Sequence, residues 1–98
     1  MTPEGKVKAQ VKKILDEHGV YYFCPATGGY GRSGIPDFIC CFKGKFMAIE
    51  CKAGVGKLTA LQHRELQRIQ DAGGECFVVR EDSVGNLSSY LDLILLTY

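Results

Sequence analysis

Two apolar runs flank Lys43-Gly44, and the way they must pair constrains this chain more than any other feature. In GIPDFICCFKGKFMAIECK, residues 34–52, β-branched and aromatic side chains dominate both arms. Gly44 can supply the positive φ that a two-residue hairpin turn requires. With Phe42 opposite Lys45, counting outward sets Asp37 opposite Glu50, and Lys52 falls on the same face two residues further on. Ile39, Cys41, Phe46 and Ala48 share that face, while Phe38, Cys40, Met47, Ile49 and Cys51 take the other. Both faces are apolar, the pattern of central strands covered on both sides. A one-residue slip would send the two carboxylates to opposite faces, so the turn decides whether they meet.

Meeting has a cost. Each carboxylate raises the pKa of the other, and burial raises both, so a positive group is needed beside them. A divalent metal ion and Lys52 are the candidates. The plainer reading is a pair of strand-end charges reaching solvent, with Glu50 held by Lys52 in a surface salt bridge of little energetic weight.

The chain around the hairpin is short. Its 98 residues predict one domain over 1–98, with a single core and one sheet. Pro3–His18 reads as a helix with Val7, Val11, Ile14 and Leu15 on one stripe and Gly19 at its end. Val20–Cys24 reads as a strand, and strands follow at about 37–42 and 46–52. Thr59–Ala72 is the clearest helix: Thr59 and Gln62 have capping-box spacing, and Gly73-Gly74 stops it. Glu75–Val79 is a further strand and Leu87–Tyr98 a final apolar helix. The order α-β-β-β-α-β-α predicts an α/β domain with helices covering a mixed sheet.

No run is long and apolar enough to span a bilayer, and MTPEGKVKAQ lacks the apolar segment of a signal peptide, so a cytoplasmic protein without a membrane partner is expected. Five cysteines without CxxC spacing argue against a disulfide framework or structural zinc and read as buried, reduced thiols. Net charge is only +1, although Lys6, Lys8, Lys12 and Lys13, then Lys43 and Lys45, then Lys57, Arg64 and Arg68 form local basic clusters. Such clusters are ordinarily solvated faces.

Two further polar residues point inward. At ~100° per residue, Glu4 lies close to the centre of the first helix's apolar stripe, whereas Glu17 faces away. Its alternative is a favourable charge in a first helical turn. Gln62 sits on the inward face of its helix, where an amide needs a partner; it either returns to the Thr59 backbone or orients a lysine or a metal-bound water. The segment PATGGYGRSGIP, residues 25–36, is a long glycine-rich loop of the kind that carries function.

Together, Pro36-Asp37, then Glu50-Cys51-Lys52, then Thr59-x-x-Gln62 and GGECFVVR resemble the VRR-NUC (virus-type replication-repair nuclease) family of the PD-(D/E)xK nucleases, from the first helix to about Arg80. The resemblance implies a restriction-endonuclease-like core with a mixed sheet of about four strands. It implies a Mg²⁺ or Mn²⁺ ion held by Asp37, Glu50 and the Cys51 backbone carbonyl, with Glu4 as a further acidic residue. Lys52 would position or activate water, and Gln62 would stand near it. DNA contacts are expected from Arg32 and Ser33 in the glycine-rich loop and from Lys57 and Arg64. The small stand-alone members imply a homodimer acting on branched DNA such as four-way junctions, in a bacterial or phage-infected cell.

Three rival readings remain. AGVGKLT, residues 53–59, resembles a phosphate-binding loop, but Leu58 separates Gly-Lys from Thr59 and Cys51 stands where the first glycine belongs, so no nucleotide cofactor is expected. A catalytically inactive or sequence-reading DNA-binding module on the same fold is the second. A restriction-type endonuclease is the third, and the length leaves little room for its recognition subdomain.

Overall fold

A computed structural model, describing residues 1–26 and 33–98, has the order α1 (Pro3–His18), β1 (Tyr21–Phe23), β2 (Phe38–Phe42), β3 (Lys45–Cys51), α2 (Ala60–Asp71), β4 (Glu75–Val79) and α3 (Val84–Thr97). The four strands form one sheet in the order β1-β2-β3-β4. β1 and β2, and β2 and β3, run antiparallel, whereas β3 and β4 are parallel and joined through α2. The expected α/β architecture and element order are both present.

The hairpin register follows the turn. Lys43 and Gly44 both have positive φ, 52° and 79°, the geometry of the turn that matches strand twist. Phe42 pairs with Lys45 and Phe38 with Ile49, so the next step outward sets Asp37 opposite Glu50.

Alternation then divides the sheet into two unlike faces. Phe38, Cys40 and Phe42 of β2 and Met47, Ile49 and Cys51 of β3 close against Val7, Val11 and Leu15 of α1 and Leu87, Leu91 and Ile94 of α3, forming the core. Helix α2 lies on the opposite face, where the Cys76 Sγ of β4 donates to the Leu66 carbonyl. That face is not covered throughout, contrary to the expectation of central strands buried on both sides. Tyr21, Phe23 and Phe46 are 72%, 50% and 46% exposed, because α2 follows β3 and β4 and leaves β1 and β2 open.

The same asymmetry corrects the reading of the cysteines. Cys40 and Cys51 are buried and Cys76 partly so, but Cys24 and Cys41 are exposed; Cys41 lies on the open face and Cys24 beyond the end of β1. Helix α3 begins at Val84, three residues before the expected Leu87. Gly85 and Asn86 are poor helix formers, yet Val84 packs on the core and draws the first turn into helix. Val20 lies outside β1 because its N–H closes the end of α1 on the Leu15 carbonyl, at 3.0 Å. Among the described residues no helix is long and apolar enough to cross a membrane.

Candidate active site

Asp37, Glu50 and Lys52 come together where β2 begins and β3 ends, on the face that carries α2. Asp37 sits in the bend before β2, and its Oδ2 accepts from the Cys51 backbone N–H at 2.8 Å. The side chain of one strand thereby ties down the main chain of the next. Glu50 is only 3% exposed. Burial chiefly, with the Asp37 charge and a hydrogen bond to Asp37, pushes its carboxyl up to about 8, against the opposing pull of Lys52. Near neutral pH Glu50 therefore keeps its proton.

Gln62 takes the first of the roles weighed for it, the return to the Thr59 backbone, and its amide also reaches Glu50. Its Oε1 accepts from the Thr59 N–H at 2.9 Å while its own N–H donates to Thr59 Oγ1 at 3.1 Å, completing the capping box. Its Nε2 donates to Glu50 Oε2 at 3.3 Å. One amide thus starts α2 and fixes the orientation of the buried carboxylate. Gly34 explains how the chain enters the site: at φ +82°, a Cβ there would stand 2.5 Å from the Leu61 carbonyl group and 2.8 Å from Gln62 N. Only glycine lets the approach to Asp37 lie against the first turn of α2.

Glu4 lies at the edge of the site, close enough that its charge adds to those raising Glu50. α1 packs on the core face, and Glu4, 43% exposed, approaches Lys8 Nζ at 3.9 Å. Lys8 in turn lies 3.2 Å from Asp37 Oδ1. Its pKa is raised because, although burial opposes the charge, the hydrogen bond and charge of Asp37 outweigh it. In the sequence Lys8 is one of a basic cluster on α1, and in the structure it is the cation at Asp37. The Glu4–Lys8 spacing of one helical turn, at the rim of the apolar stripe, was the available signal. Ser33, Lys57 and Arg64 are exposed, Lys57 lining a separate cleft with His63 and Arg80, and Arg32 lies outside the described residues. A cleft of about 720 Å³ beside the C-terminal half of α2, lined by Phe46, Glu65 and Ile69, holds none of these residues.

The donor set suits a hard divalent cation: two carboxylates with backbone oxygen nearby, in a setting where a cation would replace the proton of Glu50. Among the described residues no three His, Cys, Asp or Glu side chains converge on one point, so an ion here would rest on Asp37, Glu50 and main-chain oxygen.

A mixed sheet carrying paired carboxylates, a lysine and a helix-borne amide has the make-up of PD-(D/E)xK nuclease domains. The sequence matches the VRR-NUC domain model over residues 5–82, and the chain belongs to the VRR-NUC family. A solved structure described as a VRR_NUC domain is similar at 26% identity and a TM-score of 0.73, covering 100% of this chain and 99% of that one. The fold also resembles that of Archaeoglobus fulgidus Hjc, described as a Holliday junction resolvase from an archaeal hyperthermophile. That likeness has 20% identity and a TM-score of 0.59, over 78% of this chain and 66% of the other. Comparison with curated proteins gave no match.

Proposed function

We propose that this VRR-NUC domain is a divalent-metal-dependent DNA endonuclease that cuts branched DNA, such as four-way junctions, as a homodimer. The observation that carries the reading is the Asp37–Glu50 pair, with the Gln62 amide on Glu50 and Lys52 on the same face. Asp37, Glu50 and the Cys51 carbonyl would hold Mg²⁺ or Mn²⁺. When bound, the ion supplies Lewis-acid polarisation of a phosphate oxygen and lowers the pKa of water.

The chain's residues do the positioning. Gln62 keeps one Glu50 oxygen turned toward α2, and the Cys51 N–H holds Asp37 in place. Lys52 orients the attacking water and offsets charge as its oxygen bonds to phosphorus and the P–O bond to the leaving strand breaks. Glu4 acts at one remove, through Lys8. Ser33, Lys57 and Arg64, with Arg32, contact the DNA backbone around the site. The homodimer reading is supported by apolar surface left uncovered: Tyr21, Phe23 and Phe46 on the sheet, and Leu93, Leu96 and Tyr98 on the C-terminal segment, whose Leu91 and Ile94 belong to the core. Two copies would place two sites for paired cuts.

The test is incubation with labelled four-way junction, flap and linear duplex DNA in Mg²⁺, in Mn²⁺ and in chelator. Metal-dependent cutting, strongest on a branched substrate and reduced about 10²-fold or more in Lys52→Ala, is expected. Binding without cleavage under every metal would leave only a DNA-binding module.

A further inference from the structure

We infer that the cleft between α1 and the residues flanking β1 and β2 is the track for one DNA strand, with Lys8 and Lys12 gripping its phosphates as it enters the carboxylate site. This rests on the nuclease reading above and adds where the substrate strand runs.

The cleft has a volume of about 400 Å³ and is lined by Gly5, Lys8, Ala9 and Lys12 on one side and Cys24, Pro25, Pro36, Asp37 and Phe38 on the other. Helix α1 turns its two smallest residues here, Gly5 and Ala9, so the opening arises because side chains are missing from that wall. Lys8 and Lys12, one turn apart, stand ~6 Å from each other along the axis, a spacing at which both can meet neighbouring phosphates of one strand.

The cleft also leads somewhere. Asp37, on its wall, accepts the Cys51 N–H through one oxygen and pairs with Lys8 through the other. A strand lying along Lys12 and Lys8 therefore delivers a phosphate to the carboxylate proposed to hold the metal ion.

Charge and shape select the occupant. Lysines serve phosphate as point charges on flexible stems, and among the described residues the opposite wall offers prolines, Phe38 and the weakly hydrogen-bonding Cys24 thiol, with Asp37 its one strong hydrogen-bonding side chain. Such a wall grips backbone without sequence preference. A net charge of +1 gives the chain no general attraction for DNA, so local cations at the site must do that work.

The experiment measures binding of labelled branched and single-stranded DNA in Ca²⁺ by fluorescence anisotropy over a salt series. It compares wild type, Lys8→Met/Lys12→Met, Ala9→Glu and the off-cleft control Lys6→Met. Each phosphate contact contributes about 0.7–0.9 to the slope of log affinity against log salt, so the double variant should lose about 1.4–1.8 and Lys6→Met little. Ala9→Glu, at an exposed helical position, places a carboxylate in the track; it should weaken binding at least about tenfold, ~1.4 kcal/mol, with thermal stability unchanged.

Slopes in the double variant equal to those of Lys6→Met, or Ala9→Glu binding like wild type, would overturn the proposal. If wild type cuts DNA while the cleft variants bind and cut as it does, the track is wrong and the nuclease reading stands. If wild type neither binds nor cuts DNA with any metal, the nuclease reading fails and takes the track with it.

Discussion

The two faces of the sheet are built from alternate residues of the same strands and do opposite things. The face toward α1 and α3 buries Met47, Ile49, Cys51, Leu87 and Leu91 almost completely. The face toward α2 holds Asp37, Glu50 and Lys52 and leaves Tyr21, Phe23 and Phe46 in part uncovered. Cys40 and Cys41 show how sharply the faces divide: one is buried, with its thiol pushed up to about 12 by burial, and its neighbour is exposed. One closed face suffices to hold so small a chain together, and that frees the other to carry charge that a core could not accept.

The strongest way to break this division is to mutate each face and measure both stability and activity. Leu91→Ala should cost about 2–5 kcal/mol, a large share of the ~5–15 kcal/mol a domain has, seen as a fall in thermal midpoint. Lys52→Ala should remove cleavage while leaving the midpoint within a few degrees. A site-face variant that unfolds the protein as Leu91→Ala does would show that the faces are not separable.

Gly34→Ala tests the seam between the loop into β2 and α2. Its positive φ costs about 1–3 kcal/mol for a residue with a side chain, and its Cβ would collide with the main chain at Leu61. The first turn of α2 must then shift and carry Gln62 away from Glu50. Cleavage and thermal midpoint should fall together, unlike in Lys52→Ala.

The pH dependence separates the faces in another way. Folded Glu50 keeps its proton to about pH 8, whereas unfolded it would release it near its ordinary value of 4.5. Between these values the folded state binds the extra proton, so stability is lost as pH rises through the window. In chelator, the thermal midpoint should decline from pH 5 toward pH 8, and Glu50→Gln, which mimics the protonated form, should flatten the curve. Mg²⁺ or Mn²⁺, binding the ionised pair, should stabilise more at pH 8 than at pH 5. A flat wild-type profile would mean that Glu50 ionises freely and is not the buried partner of Asp37.

How much of this was legible from residues alone followed from how local each rule is. The turn at Lys43-Gly44 fixes the β2–β3 register, and from it the juxtaposition of Asp37, Glu50 and Lys52, because strand pairing is counted in integers. The open half of the sheet was not legible, since alternation identifies apolar faces without saying how far one helix reaches across them. The pairing of Lys8 with Asp37 was not legible for a related reason. Periodicity gives an angle about the axis of α1, but which sheet face that helix covers is set by tertiary packing.

Gln62 gives the finest test, since its amide serves both the fold and the site. Gln62→Ala removes the side-chain half of the capping box and the bond to Glu50 together while the Thr59 cap on the backbone N–H remains, so it should cost less than the ~1 kcal/mol of a lost N-cap and lower cleavage. Gln62→Glu separates the roles, because glutamate at this position still completes a capping box but sets a like charge against Glu50 where the amide donated. In chelator above about pH 8, where Glu50 is ionised, that variant should keep α2 intact by circular dichroism and yet be less stable than wild type. A divalent ion, drawn to an added carboxylate, should recover more stability in Gln62→Glu than in Gln62→Ala. Equal recovery in the two would mean that Gln62 serves only the helix, and that Glu50 is oriented by Asp37 and Lys52 without it.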